Sequence, residues 1–399
     1  MSEENKTWAE RSEKVFIGTY ARYPATMVKG EGCTLTDADG KEYLDCLAGI
    51  AVCSLGHCHP AVTEAVCGQA AELVHVSNLY YTKPQTELAE LLTEHSFADK
   101  IFMANSGAEA NEAAIKLARI CAGHDRYGII SLAGSFHGRT LATIAATGQP
   151  KFHEGFEPMP EGFSHAPFGN LNVLEAMITD HTCAILCEPL QGEGGVRPLD
   201  VEYLQAVEKL CRKHGLLLIF DEIQTGMGRT GTLFAYEQLG IVPDIMTVAK
   251  ALGNGMPIGA MLTRKEIAAS LVPGTHGSTF GGNPVACAAA VATMKIMLED
   301  GFLPSVQEKG EYFQGSLERL AKKHPQLATG ARGMGLIRAL VLTEAGIEKG
   351  ADMVKRLFDK GVLINFAGNS VLRFLPPLII TKEEIDQLVS ALDEVLTEC

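Results

Sequence analysis

The chain has 399 residues, too many for one small domain and enough for two or three units with sizeable cores, which its 46% hydrophobic content can fill. A net charge of −14 argues against nucleic acid or an anionic membrane surface as the main partner. No stretch reaches the roughly 18 apolar residues of a membrane span, the start Met1-Ser2-Glu3-Glu4-Asn5-Lys6 is polar rather than a secretory leader, and eleven cysteines scattered through apolar segments suggest reduced thiols in a cytoplasmic protein.

Residues 1 to about 60 predict a helix followed by a small antiparallel unit. Within it, residues 35–45 are two short runs about the Asp39-Gly40 turn, a hairpin signal. Cys53, His57, Cys58 and His59 crowd together next. Such a cluster could ligate zinc, but the spacing is not that of a finger and no second cysteine pair answers it. Gly56 and Pro60 mark a turn into a helix over 61–73, so these histidines read better as loop residues.

Beyond Pro60, strand-length apolar runs at 101–104, 127–132, 184–187, 216–220, 245–249 and 259–262 alternate with helical patterns. That alternation implies βαβ units, hence an α/β fold with a mostly parallel sheet flanked by helices. The helix before the fourth run is typical, with Tyr203, Leu204, Val207, Leu210 and Cys211 on one face and Gly215 as its stop. An alanine-rich stretch, 284–298, predicts a buried helix. The last hundred residues turn α+β, with runs at 362–364 and 371–374 flanking Gly368-Asn369-Ser370, and a final helix opening on Thr381 and Glu384 in capping-box spacing. The expected division is a large domain over residues 61–295 and a smaller one built from 1–60 and 296–399.

Four constellations fall at predicted strand ends, where open α/β sheets hold their ligands. Asp221 and Lys250 end neighbouring runs. A lysine and an aspartate so placed suit pyridoxal phosphate (PLP), the lysine as Schiff base and the aspartate as partner of the pyridine nitrogen, whereas a lysine alone would simply reach solvent. Ser106-Gly107-Ala108 opens a helix and offers backbone N–H groups to an anion, although serine at that position is also the commonest structural cap. Phe136 could stack on a flat cofactor and Arg139 clamp a carboxylate; the alternative is a capped loop with a surface arginine. Glu188 and Glu193 lie among glycines in what reads as a loop beside the site or a solvated turn. Gly226-Met227-Gly228-Arg229-Thr230-Gly231 matches the dinucleotide fingerprint, but Asp221–Gln224 intervenes before the first glycine and Pro243 sits where the second strand should start, which speaks against NAD.

Together these stretches resemble the class III PLP-dependent aminotransferases of fold type I along nearly the whole chain. The resemblance rests on Ser106–Asn111, Phe136-His137-Gly138-Arg139, Glu188-Pro189 with Gln191-Gly192-Glu193, Asp221–Gly226, Lys250-Ala251-Leu252-Gly253, Ser278–Pro284 and Arg373-Phe374. It implies that Lys250 forms the Schiff base and moves the proton. It implies also that Asp221 pairs with the pyridinium, Ile223 and Phe136 cover the two ring faces, Gln224 bonds the ring hydroxyl side, and Gly107 and Ala108 hold the phosphate. Thr279, with Ser278 nearby, would reach the site of a second subunit, so the resemblance implies a homodimer. Arg139 would bind a substrate carboxylate, and Glu193 and Arg373 would part when a dicarboxylate keto acid such as 2-oxoglutarate enters. The apolar Ile50, where ornithine-specific members carry a tyrosine, suits an amino donor with an acylated α-nitrogen, although enzymes of 4-aminobutyrate are apolar there too. An aminomutase of the same fold would need no second dicarboxylate site, so the Glu193/Arg373 pair favours a transferase. No metal is implied.

Overall fold

The computed structural model describes residues 3–399, so Met1 and Ser2 of the polar start lie outside it. A seven-stranded sheet forms its centre, in the spatial order Lys100–Ala104, Gly259–Thr263, Ile245–Val248, Leu217–Asp221, Thr182–Cys187, Gly128–Leu132, Phe163–Ala166. The strands run parallel except Gly259–Thr263, which is antiparallel to both of its neighbours. Six carboxyl ends and the start of the reversed strand therefore share one edge. Why the runs read as unbroken apolar stretches is plain from burial: all six residues of Thr182–Cys187 are covered on both faces. Leu218 and Phe220 point into one core, with Ile185 and the helix Val201–His214, while Ile219 points into the other, with Leu186 and the helix Gly107–Ala122. Each such Leu, Ile or Phe contributes about 1.5–3 kcal/mol by burial. The predicted helix stop at Gly215 is a left-handed cap, φ 61°.

Sequence did not anticipate the edge strand Phe163–Ala166, which is short and polar in alternation. Nor does the 362–364 run pair with 371–374 across the turn between them. Val362–Leu363 joins the sheet of Met27–Glu31, Thr34–Asp37 and Glu42–Asp45, pairing in parallel with the last, whereas Asn365–Ala367 pairs with Val371–Phe374 across the turn at Gly368 and Asn369. One small sheet thus knits the two ends of the chain, with Leu44 N–H donating to the Gly361 carbonyl at 2.8 Å. Gly226–Gly231 forms buried turns rather than the opening of a helix. The final helix, Lys382–Glu398, carries the expected box, Thr381 N–H to Glu384 at 2.8 Å and Glu384 N–H to Thr381 at 3.1 Å.

The segment after Glu42–Asp45 is unusual. Ala48, Gly49, Ile50 and Ala51 have φ of 50°, 63°, 65° and 61°, a single left-handed turn. That conformation costs an L-residue about 1–2 kcal/mol at each position other than glycine. The offset is local: one carboxylate oxygen of Asp45 accepts the N–H groups of Leu47 and Ala48, both at 2.9 Å.

Candidate active site

At the carboxyl edge of the sheet lies a cleft of about 390 Å³. Among the residues singled out above, Ser106, Gly107 and Ala108, Phe136 and Arg139, Glu188 and Glu193, Asp221, Ile223 and Gln224, and Lys250 line it. Arg373 stands behind Glu193, its Nη1 2.7 Å from the Glu193 carboxylate and its Nε 3.1 Å from Asn365 Oδ1. Ser278 is at the rim, where its Oγ accepts from Asn105 Nδ2 at 3.1 Å. Thr279 does not line this cleft; it is exposed on the adjoining surface.

Lys250 follows the strand Ile245–Val248 and starts a single 3₁₀ turn, Lys250–Gly253, with φ 47°. Its ammonium has no hydrogen-bond or ion-pair partner among the described residues. Burial pushes its pKa below the ordinary lysine value, with Glu193 pulling the other way and Arg373 adding to the depression. A half-buried amine that faces the cleft without a partner, carried in a left-handed conformation, is an arrangement that packing alone would not favour.

Asp221, at the end of its strand, is 3% exposed and anchored by three donors. Its Oδ2 takes Asn111 Nδ2 and the His137 ring nitrogen Nδ1, both at 2.8 Å, and its Oδ1 takes Ile223 N–H at 3.1 Å. Asn111 is itself oriented by Thr247, whose hydroxyl donates to Asn111 Oδ1 at 2.7 Å. Glu188 accepts the Phe136 N–H at 3.2 Å; burial, then the charge of Asp221, holds its carboxyl well above the carboxylate range. Glu193 behaves oppositely, because Arg373, Lys250 and Gln224 outweigh its burial and keep its pKa low.

The anion end is the helix Gly107–Ala122, capped by Ser106, whose Oγ accepts Glu109 N–H at 3.2 Å. Gly107 and Ala108 supply the first amides, which have no intrahelical acceptor. A Cβ on Gly107 would lie 2.7 Å from Ile223 Cδ1, so only glycine lets the helix start close on that side chain. Arg139 is exposed and its guanidinium sits 4.1 Å from the centre of the Phe152 ring. Buried atoms without partners among the described residues include Gln224 Oε1 and His137 Nε2. A free amine, an anchored carboxylate, a pair of ring-facing apolar walls and an open helix N-terminus together fit a flat, ionisable ring bearing a phosphate, which is what PLP presents.

The sequence reading missed Asn111, Thr247 and His137 as supports of Asp221. A signal existed for the first: Asn111 stands on the face of a helix otherwise made of Ala110, Ala113, Ala114 and Leu117, where a polar side chain needs a buried partner. Ile50 also differs from expectation. It is 42% exposed on the left-handed turn and does not line the cleft; the apolar residue of that loop that does is Val52, beside Met256, Pro257 and Ile258.

Fold and site together define a group-transfer enzyme of the α/β class. The chain belongs to the class III aminotransferases, whose family model matches residues 18–396. It is 51% identical over 390 residues to the acetylornithine aminotransferase of Caldanaerobacter subterraneus subsp. tengcongensis, covering 97% of this chain and 98% of that one. Among solved structures it superposes on the ornithine aminotransferase of Toxoplasma gondii with TM-score 0.94 at 33% identity, covering 99% and 95% of the two chains. On the acetylornithine aminotransferase of Elizabethkingia anophelis the values are 0.89 and 32%, with both chains fully covered. The fold is fold type I.

Proposed function

We propose that the protein is a PLP-dependent aminotransferase that moves the δ-amino group of N2-acetylornithine to 2-oxoglutarate, a step of arginine biosynthesis, with succinyl-diaminopimelate as a further donor. The observation that carries the reading is the unpartnered, half-buried amine of Lys250 in one cleft with the anchored carboxylate of Asp221. The match at about half identity to a relative of that name supports the choice of donor.

PLP, when bound, supplies an electron sink for the carbon that carries the amine. The chain's own groups do the rest. Gly107 and Ala108 would bind its phosphate with their amides. Phe136 and Ile223 would hold its ring between them, and Gln224 would meet the ring's hydroxyl side. Asp221, kept in place by Asn111 and His137, would hold a proton on the ring nitrogen. Lys250 Nζ, its proton affinity reduced by burial, would take and return the substrate proton. Arg139 would orient the donor's carboxylate, and the acyl group would lie against Val52, Met256 and Pro257. Glu193 would cover Arg373 while the donor's reacting amine end, which carries no carboxylate, is bound and release it to the second carboxylate of 2-oxoglutarate, so one site serves two unlike substrates in a ping-pong order.

A homodimer belongs to this reading. Leu79, Tyr80 and Tyr81 are strongly exposed, as is Phe280 beside Thr279, and Asn78 ties the two segments by bonds to the Ser278 and Gly281 carbonyls. An apolar surface of this kind is covered in stable proteins, and a second copy seated there would bring Ser278 and Thr279 to the partner's cleft. No helix among the described residues is long and apolar enough to cross a membrane, in keeping with action in the cytoplasm.

The test is an absorbance titration of the PLP-loaded protein with N-acetylornithine, ornithine and 4-aminobutyrate in turn. Loss of the bound cofactor's visible band at much the lowest concentration with N-acetylornithine is the expected result. Preference for either other donor would overturn the substrate assignment and leave the cofactor assignment standing.

A further inference from the structure

The strand Thr182–Cys187 ends on a carboxyl group that the proposed reaction does not use. That strand lies between the one that ends in Asp221 and the one whose following loop carries Phe136. Cys187 pairs with Phe220, so Glu188 and Asp221 are the next residues on two adjacent parallel strands. Glu188 is 7% exposed and lines the cleft. Packing alone would not favour a carboxyl group buried beside a second one.

What Glu188 touches is the backbone of the cleft's aromatic wall. Its Oε2 accepts the Phe136 N–H at 3.2 Å, and that amide has no other acceptor among the described residues. The flanking amides are held from elsewhere, Ser135 N–H by the Leu132 carbonyl at 3.1 Å and His137 N–H by Thr147 Oγ1 at 2.9 Å. Phe136 itself is half-buried and meets the Phe152 ring edge-on, with centroids 5.7 Å apart. The second oxygen of Glu188 has no hydrogen-bond partner among the described residues. Burial, then the charge of Asp221, pushes the carboxyl towards its neutral form. A neutral acid still accepts an N–H through its carbonyl oxygen, and it adds no second negative charge beside Asp221.

We propose that Glu188 is a positioning residue for the cofactor ring, fixing Phe136 in register with Asp221 from the strand that lies between them. It acts through Phe136 and not on the substrate. Asp221 meets one edge of the ring and Phe136 one face, so the middle strand sets where the two stand relative to each other. The role at the ring rests on the reading of the cleft as a PLP site; the bond between Glu188 and Phe136 does not.

The experiment compares Glu188→Gln, Glu188→Leu, Phe136→Leu and the double variant Glu188→Leu/Phe136→Leu with the native protein. Equilibrium dialysis reads PLP retention, and circular dichroism of the bound cofactor's visible band reads how the ring is held. Glu188→Gln, which has the shape of the neutral acid and keeps the acceptor, stays within about twofold of native in retention and leaves the dichroism unchanged. Glu188→Leu loosens PLP about tenfold and lowers the dichroism per bound cofactor. Phe136→Leu does the same, and the double variant is no worse than the worse single one, because both changes remove one contact. In the cofactor-free protein, hydrogen exchange at the Phe136 amide speeds about tenfold in Glu188→Leu and not in Glu188→Gln. Should Glu188→Leu fail to fold, Glu188→Asp, which withdraws the acceptor by one methylene, carries the same expectations. Glu188→Gln as impaired as Glu188→Leu, additive losses in the double variant, or unchanged exchange overturns the proposal. So does a lowered melting temperature with unchanged dichroism, which is what a role in folding alone would give. A native protein with no visible band on adding PLP overturns the functional reading and the ring role with it. The exchange measurement needs no PLP, so it tells that failure from a Glu188 that does not hold Phe136.

Discussion

The Glu193–Arg373 pair gives the sharpest test of how one cleft takes two substrates. Arg373 has a side chain 1% exposed, and Glu193, at 31%, is the only carboxylate bonded to it among the described residues. At an effective dielectric near 20, opposite charges about 4 Å apart attract by about 4 kcal/mol. Solvent at the partly exposed carboxylate and the desolvated guanidinium offset much of that, leaving about 1–2 kcal/mol. Glu193→Ala therefore leaves Arg373 permanently available. Binding of 2-oxoglutarate no longer has to break the pair and tightens by about tenfold, the equivalent of 1.4 kcal/mol. The donor, whose reacting end now meets an uncovered cation, loses about as much in kcat/KM. Single-turnover measurements of the two half-reactions should show their ratio changing by about a hundredfold, while the melting temperature drops only a few degrees. Equal losses in both half-reactions would refute the gate and reduce the pair to a structural ion pair.

Lys250→Ala should lower turnover by about 10⁴-fold or more, yet leave the melting temperature of the cofactor-free protein nearly unchanged, because the half-buried amine faces the cleft without a partner among the described residues; a fall of several degrees would show that the amine has a stabilising partner. Gly107→Ala places a methyl 2.7 Å from Ile223 and should cost about 1–3 kcal/mol in cofactor retention, with Ile223→Val recovering part of it; equilibrium dialysis of PLP measures both. For His57, whose Nε2 is 2.7 Å from the buried Asp45 carboxylate, the folded pKa is raised to about 10 above an unfolded value near 6.5, so its contribution is full below pH 6.5 and is lost as pH rises towards 10. The unfolding free energy of the native chain should accordingly fall over that range relative to His57→Gln, and parallel pH profiles for the two proteins would contradict the buried pair.

The central sheet was legible because strands buried on both faces leave unbroken apolar runs, and its ligand edge because charged residues such as Asp221 and Lys250 stand where those runs stop. Reversal of Gly259–Thr263 was not, since an antiparallel strand buried on both sides has the same composition as a parallel one. The support of Asp221 by Asn111 and Thr247 depends on a helix and a strand 136 residues apart meeting in register. Least legible was the turn at 48–51. Alanine and isoleucine carry no local signal for positive φ, and only Gly49 hints at it; the conformation is imposed by Asp45 and by contacts from far along the chain.

Those contacts tie both chain ends to the chemistry. Arg229, fully buried, donates to Leu336 and Pro376 carbonyls at 3.0 and 2.6 Å and to Ser54 Oγ at 3.0 Å, joining the loop after the left-handed turn to the C-terminal region. Burial brings its pKa down to about 9, still high enough to leave it charged at neutral pH, and no carboxylate bonds to it among the described residues. A rigid planar fork of five N–H donors reaches acceptors from three segments in one plane, where a lysine would offer only a compact point charge at the end of a flexible stem. Asn254 holds the same loop against the turn of Lys250, accepting Leu55 N–H at 2.8 Å and donating to the Gly56 carbonyl at 3.2 Å, and Arg373 reaches Glu193 from the last strand, so the candidate site is assembled by segments from both ends of the sequence. A boundary drawn at residues 61 and 295 would separate parts of one device, and substitutions in the small sheets should be read as changes to the cleft.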